Sequence, residues 1–189
     1  MGTLAGAALL LQGTPALAGE SMQVKTLQLD LSPDDGAVLL SAQFALDLSA
    51  ALKDAVSRGL PLHFIVEYEI SRPRLFWFDD QTTKGHREWR LSYHALTRQY
   101  RLGSATSSDG YTTLDEAIAP MMSVRDWPVA TIEQFVPETE YILRVRMRLD
   151  QARLPKPFQI TALTDSDWNP QSEWKGLTFV VPTQPTPAP

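Results

Sequence analysis

The sequence predicts a mainly β protein that folds as an antiparallel β-sandwich of about seven to nine strands with two short helices. Short segments of alternating apolar and polar residues follow one another along the chain, as expected for half-buried strands. Gly, Pro, Asp and Ser residues separate these segments as turns. The clearest segment is 135–149 (FVPETEYILRVRMRL), where a turn leads into nine residues of alternation.

Residues 1–18 are expected to be a signal peptide that is cleaved after Ala18. An apolar run at 4–11 is followed by the helix breakers Gly13 and Pro15, and small alanines occupy the Ala-x-Ala positions before the cut. The run is shorter than the roughly 20 residues that a membrane span needs. No Lys or Arg precedes it, and a buried N-terminal helix is the alternative.

Composition limits the possible classes of protein. The chain has no cysteine, which excludes disulfides, a lipidated cysteine, thiolate metal sites and a cysteine nucleophile. Its net charge of −5 and pI of about 5.2 make nucleic acid an unexpected partner. We expect a single domain over 19–181 and an unpacked proline-rich tail over 182–189.

The domain is expected to open with a hairpin followed by a short helix. Residues 23–31 and 37–48 alternate, and the Ser-Pro-Asp-Asp-Gly turn at 32–36 joins them. Ser49 is placed to cap a helix over about 49–58, in which apolar residues recur at helical spacing before a glycine stop.

Further strands are expected in the middle of the chain. Residues 62–70 alternate, and the aromatic stretch 72–78 suits an edge strand or one that changes sheets. The polar segment 79–85 is interpreted as a turn. Residues 87–94 and 99–102 then form a second predicted hairpin.

The rest of the chain is predicted to contain one helix and three strands, of which 135–149 contains the first. Thr113 and Glu116 fit a capping box, which predicts a helix over about 113–122. Two later segments, 158–163 and 177–181, are interpreted as strands.

The segment before the 141–149 strand resembles a known corner motif. Residues 135–141 contain Pro137, Thr139 and Tyr141 and are similar to the corner of fibronectin type III and other immunoglobulin-like domains. The resemblance implies an immunoglobulin-like sandwich in which the Tyr141 hydroxyl bonds back to the backbone. An ordinary strand start is the alternative.

Several longer stretches resemble one family. They are WRLSYHALTRQYRL from Trp89, the segment 114–128 ending in Arg-Asp-Trp-Pro, YILRVRMRLD from Tyr141, and LPKPFQI with the later Trp168 and Trp174. They are similar to uncharacterised exported proteins of Gram-negative bacteria, a domain-of-unknown-function family also called proline-rich signal peptide proteins. The resemblance implies a periplasmic location and, through neighbouring sensor-kinase genes, a link to envelope signalling. It implies no catalytic residue.

Arg144, Arg146 and Arg148 form the densest group of charges. They would share one face of the 141–149 strand, and guanidinium groups suit carboxylate or phosphate partners. The alternative hypothesis pairs them across the sheet with Glu67 and Glu69, whose spacing matches.

Three of the five tryptophans are candidate binding residues. Trp127 lies in SVRDWPVA (123–130), which we interpret as a break after the helix, and Trp168 and Trp174 flank a polar loop. Exposed aromatic rings on loops could stack on a sugar or a partner protein. Aromatic residues that only anchor the loops are the alternative.

No motif for catalysis or metal binding is present. His63, His86 and His94 lack the spacing of a metal site. The sequence contains no G-x-S-x-G, P-loop or dinucleotide-binding motif. We therefore expect no enzyme, cofactor or metal.

Three functional hypotheses follow from the sequence. The first is a non-catalytic periplasmic module that binds a protein partner of the envelope. The second is a ligand-binding module for cell-wall saccharide or a small anion, and the third is an unrecognised hydrolase. All three imply a periplasmic protein with no stable membrane span after cleavage.

Overall fold

The computed structural model describes residues 21–73 and 80–182. Within these residues nine strands form two antiparallel sheets that pack as the predicted β-sandwich. The strands are β1 (Met22–Leu31), β2 (Ala37–Leu46), β3 (Leu62–Arg72), β4 (Asp80–His94), β5 (Gln99–Gly103), β6 (Ser108–Tyr111), β7 (Ser123–Thr131), β8 (Glu140–Leu149) and β9 (Lys175–Val180). The α-helices are α1 (Ala50–Ser57), α2 (Leu114–Ile118) and α3 (Lys156–Thr164). The predicted signal peptide (1–18) lies outside the described residues, as do most of the 72–78 strand and of the 182–189 tail.

The two sheets differ in size. The smaller has the strand order β1-β2-β7, and the larger has the order β6-β5-β4-β3-β8-β9. Alternate side chains of β3 and β8 point between the sheets and are buried, and they include Phe64, Val66, Tyr68, Ile70, Tyr141, Leu143, Val145, Met147 and Leu149. The core therefore lies on one face of the large sheet, and its other face is free for polar residues.

The first hairpin and helix form as predicted. Gly36 ends the turn between β1 and β2 with a φ of +66°, a conformation that glycine adopts easily. The Ser49 hydroxyl accepts a hydrogen bond from the Leu52 N–H at 3.2 Å and caps α1. Leu52 and Val56 on the inner face of α1 are fully buried.

The turn predicted over 79–85 is wrong, because β4 starts at Asp80 and pairs with β3 from Asp80 to Leu91. The segment resembles a turn because it is polar and contains Gly85. In the sheet, Gly85 lies opposite Tyr68, and Lys84 lies opposite Glu69 on the outward face. A strand with one solvent face accepts polar residues there.

The helix predicted over about 113–122 is divided. Both hydrogen bonds of the Thr113–Glu116 capping box are present, but the α-helix ends at Ile118 and a 3-10 turn runs over Ala119–Met122. The break expected over 123–130 is instead strand β7, which pairs with β2.

The strand predicted over 158–163 is helix α3. Pro157 occupies the first turn of α3, where the missing N–H is not needed. Phe158 and Ala162, one helical turn apart, face inward, whereas Ile160 and Leu163 are exposed. Four apolar residues in a six-residue window fit either period, and packing selected the helix.

Tyr141 closes the corner that precedes β8. Its hydroxyl accepts a hydrogen bond from the Val136 N–H at 3.0 Å, and its ring packs edge-on against Phe135 at 4.9 Å. The Thr139 hydroxyl donates to the Pro137 carbonyl at 3.3 Å within the same turn. These contacts set the start of β8 and hence the positions of its three arginines.

Candidate functional site

The outward face of the large sheet is strongly charged. The residues that alternate with the core positions of β3, β4 and β8 include His63, Glu67, Glu69, Lys84, His86, Glu88, Arg90, Arg144, Arg146 and Arg148. The register places Glu67 between His86 on one neighbouring strand and Arg146 on the other. Acidic and basic side chains therefore meet across three strands.

Glu67 binds two members of the arginine ladder, the name we give to Arg144, Arg146 and Arg148 on β8. Its carboxylate accepts hydrogen bonds from the Nε of Arg146 at 2.8 Å and the Nε of Arg148 at 2.9 Å. Burial raises the pKa of Glu67, but the hydrogen bonds from Arg148 and Arg146 outweigh it and hold the pKa below its usual range. Arg144 lies opposite Glu69 in the same register. The arginine ladder therefore faces Glu67 and Glu69 across the sheet, as the alternative hypothesis from the sequence predicts.

The charged network continues past the end of β8. Asp150 lies 3.8 Å from Arg148 and 3.4 Å from Arg153. Arg153 also contacts Glu88 on β4 at 2.9 Å. The Asp150 N–H donates to the backbone carbonyl of His63 at 2.7 Å, so this turn is anchored to β3.

His63 lies at the centre of a basic group. It pairs with Arg90 in the sheet register, and Arg153 donates a hydrogen bond from Nη1 to His63 Nδ1 at 3.3 Å. Because a guanidinium only donates, Nδ1 accepts and the ring proton lies on Nε2. Partial burial lowers the pKa of His63, and the charges of Arg153 and Arg90 lower it further.

A groove of about 940 Å³ lies on this face. One wall is formed by β4 residues 86–90, from both faces of the strand, with His63 and Arg153, and the other is the β5–β6 turn at 103–108, whose residues 104–108 are exposed. A second depression, of about 410 Å³, follows along β3 and β4 and shares His86 with the first. Together they form an elongated surface lined by charged, polar and apolar residues, which we call the outer groove.

Trp127 is not displayed on a loop as expected. It lies on β7, is only 8% exposed, and contacts the Tyr68 ring edge-on at 4.9 Å. The guanidinium of Arg87 covers it at 4.7 Å. Trp127 therefore joins the two sheets as part of the core.

Trp168 and Trp174 each have a different partner. Trp168 is 9% exposed and stacks on Phe158 of α3 at 4.7 Å. The half-buried Trp174 lies under the guanidinium of Arg146 at 4.5 Å. Neither ring lines the outer groove. The contacts match the alternative in which these rings anchor their loops.

None of the three histidines forms a hydrogen bond with a serine within the described residues. His86 lies 3.6 Å from Glu88, and His94 Nδ1 lies 3.1 Å from the Thr97 hydroxyl. Residues 21–73 and 80–182 contain no group of three or more His, Asp or Glu residues that could hold a metal ion. No helix among these residues has the length and apolar character to cross a membrane.

Several groove residues carry no signal in the sequence. Arg90 and Arg153 are isolated basic residues, and the Ser-Ala-Thr-Ser segment at 104–107 resembles any polar loop. His63 and Arg90 are 27 positions apart and meet only through the β3–β4 register. Because 79–85 is predicted as a turn, the sequence does not reveal the long antiparallel pairing of β3 and β4 that brings His63 and Arg90 together.

The fold and the outer groove define an antiparallel β-sandwich domain with a charged, elongated surface on its larger sheet. The family model described as domain of unknown function (DUF4390) matches residues 19–178, and the chain belongs to this family. Searches of curated proteins and of solved structures find no significant match.

Proposed function

We propose that this protein is a non-catalytic protein-interaction module of the bacterial cell envelope that holds a segment of its partner in the outer groove. The observation behind this proposal is the shape and lining of that groove, about 940 Å³ with a continuation of about 410 Å³ along the same strands. Its walls combine charged side chains and hydroxyl groups with apolar surface, to which Trp89 and Ala105 contribute. Protein–protein interfaces have this mixed character, whereas small-molecule sites are mostly apolar with only a few polar groups.

The saccharide alternative has less support. It depends on Trp168 and Trp174 forming an exposed platform. Trp168 is 9% exposed and stacks on Phe158, and Arg146 covers one face of Trp174. A sugar would have to displace Phe158 to stack on Trp168, and Arg146 to stack on the covered face of Trp174.

Site-specific photocrosslinking in intact cells tests the proposed surface. A crosslinking residue at Thr106, on the exposed rim of the groove, is expected to give a discrete adduct with a partner protein. The same residue at Thr164, at the exposed end of α3, is the positional control. Ala105→Trp places a large ring in the groove and should abolish the adduct, whereas Ala95→Trp in the exposed β4–β5 turn should leave it intact.

Two results would contradict the proposal. One is an equal yield from Thr106 and Thr164, which would indicate nonspecific capture. The other is an adduct that persists in Ala105→Trp, which would place the partner elsewhere. Urea unfolding of each variant shows whether a lost adduct reflects a lost fold.

The periplasmic location is part of the same proposal. It is supported by the apolar run and the Ala-x-Ala site in residues 1–18. Cell fractionation should recover the protein in the periplasm with Gly19 as its first residue. Recovery in the cytoplasm with an intact N-terminus would disprove it.

A further inference from the structure

The β4 wall of the outer groove has a basic end formed by His63, Arg90 and Arg153, which line it together. His63 and Arg90 are cross-strand partners on β3 and β4. Arg153 reaches the same point from the turn after β8 and bonds to His63 at 3.3 Å. Three separate parts of the chain therefore place nitrogen donors around one space.

The charges at this end are not fully compensated. In the charged network three guanidinium groups meet three carboxylates, namely Arg146, Arg148 and Arg153 with Glu67, Glu88 and Asp150. The Arg90 side chain is exposed and forms no hydrogen bond or ion pair with any residue in the described ranges. Its guanidinium is thus available to an outside anion.

His63 adds a neutral donor to this cation. Its Nδ1 accepts from Arg153, so its Nε2 carries the proton. Burial, Arg153 and Arg90 lower the pKa of His63, which keeps the ring neutral at pH 7. The basic end therefore offers a fixed charge at Arg90 and an oriented N–H at His63.

We infer that the basic end binds a carboxylate group presented by an acidic segment of the partner polypeptide. This inference rests on the proposed function of the outer groove. A guanidinium fork matches the two oxygens of a planar carboxylate. A carboxylate with one negative charge suits the Arg90 fork, whereas Glu88 and Asp150 would repel a doubly charged phosphate more strongly.

The test uses capped pentapeptides of Gly and Ser with a central Glu or Gln, added to isotopically labelled mature protein. The Glu peptide is expected to cause saturable NMR shifts at His63 and Arg90, and the Gln peptide is not. Arg90→Gln should weaken binding of the Glu peptide about tenfold, since one charge-assisted hydrogen bond contributes about 1.4 kcal/mol. Arg90→Lys keeps the charge without the fork and should bind with intermediate affinity.

Arg125→Gln is the matched control, because Arg125 is an exposed arginine on β7 of the other sheet and the net charge changes equally. It should bind the Glu peptide like the natural protein. Equal binding by Arg90→Gln and Arg125→Gln would overturn the inference. So would inorganic phosphate that binds the basic end more tightly than the Glu peptide. Urea midpoints confirm that both variants are folded.

The inference and the proposed function fail in different ways. If the Thr106 adduct forms in cells and persists in Arg90→Gln, the groove holds a partner but the carboxylate site is wrong. If Thr106 gives no adduct, the proposed function is wrong regardless of the peptide result. If Arg90→Gln weakens both the adduct and peptide binding, both are supported.

Discussion

Gly85 lies directly beneath the ring of Tyr68, its cross-strand partner. A Cβ added at Gly85 would stand 2.7 Å from Cε1 of Tyr68. The ring cannot move aside easily, because its hydroxyl donates to the Val129 carbonyl at 2.8 Å and Trp127 packs against it at 4.9 Å. Contacts from the small sheet thus hold Tyr68 in place, and Tyr68 leaves no room for a Cβ at position 85 of β4.

Gly85→Ala is expected to destabilise the fold by about 1–3 kcal/mol, the usual effect of overpacking a fixed core. The measurement is the urea midpoint at unchanged m-value. Gly176→Ala on β9 is the control, because its Cβ would meet no atom closer than 3.8 Å. A Gly85→Ala variant as stable as the natural protein would show that Tyr68 is free to move.

Tyr141→Phe is expected to cost about 1 kcal/mol, because the Val136 N–H loses its acceptor while the ring contacts remain. Tyr93→Phe is the matched control, since the Tyr93 hydroxyl makes no hydrogen bond with the described residues. Urea unfolding compares the two variants. Equal urea midpoints for the two variants would show that the hydrogen bond between Val136 and Tyr141 does not stabilise the fold.

Glu67→Gln should destabilise the protein by about 1–2 kcal/mol at pH 7, because two arginines lose their shared carboxylate. The lowered pKa of Glu67 means that its charge stabilises the fold above the usual carboxyl range and that this contribution is lost as pH falls through the folded-state pKa. The difference between the two proteins should therefore shrink below about pH 4.

Urea unfolding from pH 7 to pH 3 measures this difference. Glu173→Gln is the control, because Glu173 is exposed and forms no ion pair in the described part of the chain. A difference that stays constant down to pH 3 would show that the carboxylate charge of Glu67 is not the cause.

His63 should titrate below the usual histidine pKa of about 6.5. Burial, Arg153 and Arg90 lower its pKa, while Asp150 and Glu88 raise it by a smaller amount. The unfolded chain then binds a proton at higher pH than the folded one, so stability falls as pH drops below about 6.5.

His63→Gln should reduce that loss of stability between pH 7 and pH 5. NMR titration of the His63 ring in the natural protein gives the pKa directly. A midpoint at or above 6.5 would contradict the expected environment of the ring.

Much of the fold could be predicted from the amino-acid sequence. Alternation over 141–149 identified β8 and its buried face, and the Ser49 cap and the Thr113–Glu116 box located two helix starts. Segments with ambiguous periodicity were harder. The apolar residues of 158–163 fit a strand as well as a helix, and the structure shows helix α3.

The site was less predictable than the fold. Glu67 and the arginine ladder are recognisable because their spacing matches within each strand. Arg90 and Arg153 are not, because each gains its neighbours through packing of distant segments. Trp127 is expected on a loop, but Tyr68 and Arg87 cover it from β3 and β4.

The strands that alternate cleanly, the acidic and basic stripes and the lack of cysteine can all be recognised from the residues alone. These features are local or compositional, and a side-chain period of two specifies a strand face without knowledge of its neighbours. The folded chain is needed to show that His63, Arg90 and Arg153 surround one space and that Tyr68 covers Gly85. Both arrangements depend on strand register and on contacts between residues far apart in the chain, which no local pattern encodes.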